Sequence, residues 1–241
     1  MPTIIKGQPT SAEVRASLAA EGRPVLVAFS GGKDAIAAEL ALQDAGIETV
    51  LAHLYYIPGR EPGRTLDFVE QGLTDLEQAL GKPIHRYPHP SFYRWLNNFV
   101  FQPPERCEVI EAAQLPIPDY QVMWELIRAD LKLPADTWVA DGVRAADSIL
   151  RRPSSARHGV MKAGSGKASP VADWLKAEVL DRIAAAGIQL PVDYQFFGRS
   201  FDGIDHRFLK PISEHFPDDF ARILDWFPLA DLELFRAERA A

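Results

Sequence analysis

Apolar positions along this chain fall into short unbroken runs, separated by stretches in which apolar residues recur every three or four positions. Unbroken runs suit parallel strands covered on both faces, whereas three-to-four spacing suits helices that bury one side. Val25 to Phe29 is the first run and predicts a central strand. Before it, Val14 and Leu18 predict a helix from about Ala12 to Ala20, started by Thr10 or Ser11 and stopped near Gly22. After it, Ile36, Leu40 and Leu42 mark a helix that Gly46 ends, and Glu48 to Tyr56 gives a second strand. Strand, helix and strand in this order make a right-handed βαβ unit.

The alternation continues. Leu66, Val69, Leu73, Leu76 and Leu80 predict a helix from Arg64 to Leu80, and Ile84 to Tyr87 a short third strand. Six prolines between 88 and 120 predict a short helix with irregular connections. There Phe92, Tyr93, Trp95 and Phe99 bunch together; packing is the favoured reading of them, and stacking on a base the alternative. Val122, Met123, Leu126, Ile127 and Leu131 mark a helix from Tyr120 to Leu131, followed by a fourth strand, Thr137 to Ala140. Trp174, Leu175, Val179, Leu180 and Ile183 predict a helix capped by Asp173 and ended by Gly187. Terminal helices follow over 205–241, for packing or for association as a homodimer.

Composition narrows the class. With 241 residues, 47% hydrophobic and 24% charged, the chain can bury a sizeable core. Neither a basic-then-apolar leader nor a run approaching the roughly 20 apolar residues of a membrane span is present, which predicts a cytoplasmic protein without a membrane partner. The single cysteine, Cys107, predicts no intrachain disulfide and no iron–sulfur cluster, and is read as a buried small apolar side chain. A net charge of −7 argues against a broadly basic nucleic-acid-coating protein. Locally the balance reverses: residues 142–167 hold Arg144, Arg151, Arg152, Arg157, Lys162 and Lys167 against Asp147 alone. A triphosphate, a sulfonucleotide or a nucleic-acid backbone would each satisfy such an island.

Two strand ends carry the candidate chemistry. After Phe29 the chain reads Ser30-Gly31-Gly32-Lys33-Asp34-Ala35 and enters a helix. Glycines let backbone approach an anion, the first-turn amides point at it, and Lys33 adds a charge. The tip of the second strand, His53 to Gly59, is expected at the same edge, because ligands of parallel sheets lie beyond the carboxyl ends of strands. The fourth strand runs into Asp141-Gly142-Val143-Arg144, which brings a guanidinium to that edge. Ala163 to Ser169 lacks the first glycine and the hydroxyl of a nucleotide P-loop, at Met161 and Ala168, and reads as a flexible loop.

SGGKDA at Ser30–Ala35 resembles the phosphate loop of the PP-loop ATP pyrophosphatase superfamily, the adenine nucleotide alpha hydrolases, with Ala35 where a serine is usual. IPGREPGRTLDFVE at Ile57–Glu70, WVADGVRAADSILRRP at Trp138–Pro153 and the block Ser169–Gly203 resemble the phosphoadenosine phosphosulfate (PAPS) reductase branch. That resemblance implies an α/β fold, a doubly wound, mostly parallel sheet with helices on both faces, in a nucleotide-binding domain over 1–203, and a helical C-terminal extension over 204–241. It implies ATP or PAPS bound by Ser30, Gly31, Gly32, Lys33, Gly59, Gly142, Arg144, Ser148, Arg152 and Lys162, with Lys33, Asp34 and Arg144 catalytic and Asp34 positioning Mg2+. The reductase branch also uses a cysteine near its C-terminus, which this sequence lacks, so thiol-dependent reduction is not expected. The expected activity is adenylation of an acceptor with release of pyrophosphate, the acceptor being a nucleotide or a nucleic-acid base met through residues 142–167. A catalytically silent nucleotide-binding module and a reductase using a partner's thiol are the alternatives.

Overall fold

Val25, Leu26 and Val27 are almost wholly buried in β1 (Val25–Ala28). β1 pairs in parallel with β2 (Thr49–Tyr55) on one side, Val25 opposite Thr49, and with β4 (Val139–Ala140) on the other, Leu26 opposite Val139. A strand paired on both edges has its backbone polar groups satisfied, which is why an unbroken apolar run can occupy it. β4 pairs in parallel with β6 (Lys167–Ala168), and β6 pairs antiparallel with β5 (Met161–Lys162). With β3 (Ile84–Pro88) beside β2, the sheet order is β3-β2-β1-β4-β6-β5. The order turns back beside β1, and open parallel sheets leave a crevice for ligands at the strand ends where this happens. This computed structural model describes residues 3–240, which form an α/β fold with a six-stranded, mostly parallel sheet and twelve α-helices.

The described residues fall into two compact units: Met1–His53 with Leu76–His85 and Trp124–Leu190, and Leu54–Asp75 with Arg86–Met123 and Pro191–Ala241. In the first, α1 (Ser11–Ala20) starts with a capping box: Glu13 N donates to Thr10 Oγ1 and Thr10 N to Glu13 Oε2. The sequence leaves Thr10 and Ser11 open as the cap, and the structure selects Thr10. α2 (Lys33–Asp44) is buried at every position from Ala35 to Leu42. Its alanines permit this: Ala38 and Ala41 pack directly on Val171, with Trp174 against the cluster.

Asp173 does not cap α8 (Lys176–Ala185) as its position suggests. Its carboxylate accepts from Ser11 N at 2.9 Å and its own N–H donates to Ser11 Oγ, tying residue 173 to the start of α1. α8 opens instead with Glu178 accepting from Leu175 N. Ala163–Ser169, expected as a flexible loop, instead holds a tight turn at Ala163–Ser165 and β6, which pairs antiparallel with β5 just before the turn. α7 (Arg151–His158) was hidden because RRPSSARH has no apolar periodicity.

The second unit holds α4 (Pro90–Asn97), α5 (Pro104–Ala113), α9 (Asp193–Phe197), α10 (His206–His215), α11 (Pro217–Trp226) and α12 (Asp231–Ala240). α5 lies where prolines predict irregular chain; Pro103 and Pro104 sit at its N-cap and first position, where a missing N–H costs nothing. Its Cys107 is half-buried, not fully buried, and lies 3.9 Å from the Gln102 carbonyl. Of the bunched aromatics, Phe92 lies edge-on to Trp226 at 5.0 Å and Trp95 is stacked on Tyr56, whereas Phe99 is exposed. α3 (Asp67–Leu80) begins at Asp67, three residues later than its apolar spacing predicts. Thr65 Oγ1 donates to Ile57 O, closing residues 57–65 into a loop, and Asp219 accepts from the N–H groups of Asp67 and Phe68 and so caps the helix. α6 (Tyr120–Asp130) has nearly the expected bounds, but it buries Met123, Trp124 and Ile127 while Val122 and Leu126, expected on the same side, are exposed.

Candidate functional site

The loop after β1 is shaped by two glycines and a serine. Gly31 takes φ +73°, a left-handed conformation that costs a side-chain-bearing residue about 1–2 kcal/mol. Gly32 is the N-cap of α2, in extended conformation, and has no side chain with which to cap it; its own N–H donates to Ser30 Oγ at 3.2 Å. Gly32 itself supplies no side-chain cap to α2, and the dipole of the helix that starts there favours an anion.

Lys33, Asp34 and Arg144 form one connected set. Lys33 Nζ lies 2.6 Å from Asp34 Oδ2, and Arg144 Nε donates to Asp34 Oδ1 at 2.6 Å. Arg144 Nη2 reaches Asp147 Oδ1 at 3.1 Å, and Nη1 the Trp174 carbonyl at 3.4 Å. The Arg144 side chain is 3% exposed, whereas that of Asp34 is 24% exposed. Arg144 therefore holds Asp34, and Asp34 holds Lys33.

Gly142 supports this set from behind. A Cβ there would lie 2.5 Å from the Asp34 carbonyl carbon, 2.6 Å from its oxygen and 2.8 Å from Ala35 N. The end of β4 thus abuts the backbone of the α2 N-terminus, and only glycine permits that approach. Beside it, Asp141 Oδ1 accepts from Ser169 Oγ at 2.7 Å and from Val143 N at 3.1 Å. Desolvation pushes the Asp141 carboxyl above the usual carboxylate range, against the pull of those hydrogen bonds and of Lys162 and Lys167. Ala35 is buried and adds no hydroxyl.

The remaining sequence candidates make their contacts elsewhere. Ser148 is exposed, and its carbonyl accepts from Arg151 N. Arg152 is exposed and donates to the Ile4 carbonyl at 3.1 Å, while Lys162 is exposed on β5. His53, at the end of the first unit's part of β2, donates from Nδ1 to the Phe29 carbonyl at 3.0 Å, bracing the residue before the loop. Gly59 belongs to the second unit: its N–H donates to Arg64 O, and a Cβ would lie 2.1 Å from Thr65 O, so the closed 57–65 loop alone requires glycine. In that unit a cavity of ≈ 450 Å³ is lined by residues of both charges, among them Arg60, Arg64, Asp67 and Glu70.

Sequence reasoning missed the roles of Asp147, which pairs with Arg144, and of Asp141. The signal for Asp141 was its position directly before Gly142 at a strand end. Among the described residues no three His, Cys, Asp or Glu side chains come together to hold a metal, and both Asp34 oxygens already face cations. No helix among the described residues is long and apolar enough to cross a membrane. No protein-family model and no curated protein matches the chain.

Proposed function

We propose that the first unit binds the phosphates of an adenine nucleotide at Ser30–Asp34, and that the chain is an ATP pyrophosphatase of the PP-loop kind with a doubly wound sheet. The observation that carries this reading is the glycine loop at the α2 N-terminus, with Gly31 at positive φ, Gly32 as an N-cap without a side chain and Lys33 beside it. In the reaction, an acceptor atom forms a bond to the α-phosphorus while the bond from that phosphorus to the α–β bridging oxygen breaks. Pyrophosphate leaves with the electron pair, AMP remains on the acceptor, and the acceptor's proton passes to solvent. Loop amides and Lys33 stabilise the charge that gathers on the leaving pyrophosphate, and Arg144 keeps Asp34, and through it Lys33, in place. Both Asp34 oxygens pair with cations, so in this reading Mg2+ arrives with the nucleotide as MgATP.

The test is pyrophosphate release from MgATP across candidate acceptor bases and nucleosides. Lys33→Ala should abolish it; an unchanged rate in that variant would sink the assignment. A second reading, a silent nucleotide-binding module, is favoured by two observations: the charges of Lys33 and Arg144 are already engaged by Asp34, and Ala35 lacks the hydroxyl that the resemblance leads one to expect. Calorimetry separates the two, because a module binds ATP and yields neither AMP nor pyrophosphate with any acceptor.

A further inference from the structure

Between Ser148 and Lys167 the chain has five lysines and arginines and no aspartate or glutamate, in a protein of net charge −7. Within this stretch Ile149 is 93% exposed and Leu150 80% exposed, in the turn that leads into α7. Arg151 and Arg152 then occupy the first two positions of that helix, which has no side-chain cap and no acidic residue in its first turn. Each choice opposes local stability: aliphatic groups are left in water, and two positive charges stand at the positive end of a helix dipole. A partner that presents negative charge next to apolar surface would relieve all of them at once.

We propose that this segment docks on a nucleic acid, with Ile149 and Leu150 pressed against the bases and Arg151, Arg152, Arg157 and Lys162 on the phosphates. The inference rests on the adenylyl-transfer reading and makes its acceptor a base held within a strand rather than a free nucleoside. Nucleic acid offers phosphate charge and apolar base faces within one side chain's reach of each other, and aliphatic wedges are a known means of unstacking a base step. A base inside a stack is out of reach of an active site until it is unstacked. An anionic membrane fits less well, because α7, composed of Arg, Pro, Ser, Ala and His, has no apolar face to lay in a bilayer. A free nucleotide would give the exposed aliphatic pair nothing to cover it. The segment is also tied to the phosphate loop, since Asp147, directly before Ser148, holds Arg144, which holds Asp34.

The experiment uses the full chain with fluorescent single-stranded and duplex oligonucleotides carrying 2-aminopurine, titrated from 50 to 200 mM salt. Binding should weaken with a log–log salt slope of roughly −3, as about four phosphate contacts require. Arg151→Glu with Arg152→Glu should lower affinity at least tenfold and flatten that slope. Ile149→Ser with Leu150→Ser should remove the 2-aminopurine brightening and keep the slope. No binding of either oligonucleotide at 50 mM salt would overturn the proposal, as would brightening that survives the serine pair, or binding to phosphatidylserine vesicles in place of oligonucleotides. ATP affinity is measured by calorimetry on the same preparations. Intact ATP binding without oligonucleotide binding removes this inference and leaves the nucleotide site standing; oligonucleotide binding without ATP binding does the reverse.

Discussion

Asp34 Oδ1 lies 2.6 Å from Arg144 Nε, while the other oxygen of the same carboxylate lies 2.6 Å from Lys33 Nζ. One anion therefore fixes a buried guanidinium and a loop ammonium together. Asp34→Asn should leave Arg144 buried with Asp147 as its one carboxylate partner. Removing a partner from a buried pair costs ~3–5 kcal/mol, and the partial exposure of Asp34 brings the expected loss to about 2 kcal/mol. Arg144→Met removes the buried charge itself and leaves Asp34 paired with Lys33, so it should cost less. Urea unfolding of both variants checks the order; equal stability of Asp34→Asn and the wild type would contradict the bridge.

Gly142→Ala should be poorly tolerated. Its Cβ would overlap the Asp34 carbonyl and Ala35 N, and those backbone atoms can move only by shifting the start of α2. Overpacking of this kind costs ~1–3 kcal/mol, and the displaced loop should weaken ATP binding at least tenfold. Gly164→Ala is the control, since nothing lies within 4 Å of a Cβ there. Thermal melts and calorimetry should separate the two variants clearly, and matching behaviour would remove the close approach as an explanation.

The sheet centre was legible because β1 and β2 are apolar runs of conventional length, and the loop because its glycines, lysine and aspartate are adjacent in sequence. β5 and β6 were not legible: two residues each is too short for any period to register, and their pairing depends on the Ala163–Ser165 turn. The late start of α3 depends on Asp219, more than 150 residues away in sequence, and no local pattern could announce it. Within the site, Arg144 was legible as a residue at a strand end, but not its burial. Burial follows from Asp34, Asp147 and the Trp174 carbonyl converging on it from three separate stretches.

Asp141 should make stability depend on pH in the direction opposite to an ion-paired carboxylate. Its folded pKa is raised by desolvation, so the fold favours the protonated form. The stabilising contribution is complete below the unfolded value, about 3.9, and is lost as pH rises through the raised folded value. Asp141→Asn keeps an oxygen for Ser169 Oγ and Val143 N and carries no charge. Its melting temperature should exceed that of the wild type at pH 7–8, with the gap closing toward pH 4. Melts across that range check the sign, and a gap that widens on acidification would rule out desolvation as the dominant cause.

The helix that presents the loop is anchored by a buried charge of its own. Glu39, fully buried on α2, accepts through Oε1 from Lys82 Nζ at 2.7 Å, Thr49 Oγ1 at 2.8 Å and Gln43 Nε2 at 2.8 Å, while its Oε2 has no partner. Lys82→Met would leave a buried carboxylate held by neutral donors alone, and such a loss costs ~3–5 kcal/mol. Glu39→Leu together with Lys82→Met removes both charges and fills the space with apolar atoms, so the pair should recover most of that loss. In a double-mutant cycle by urea unfolding, the coupling should exceed ~1 kcal/mol, since the groups touch directly. Additive single-mutant effects would mean that α2 is held by its alanine packing against Val171, with the ion pair incidental to how the loop is presented.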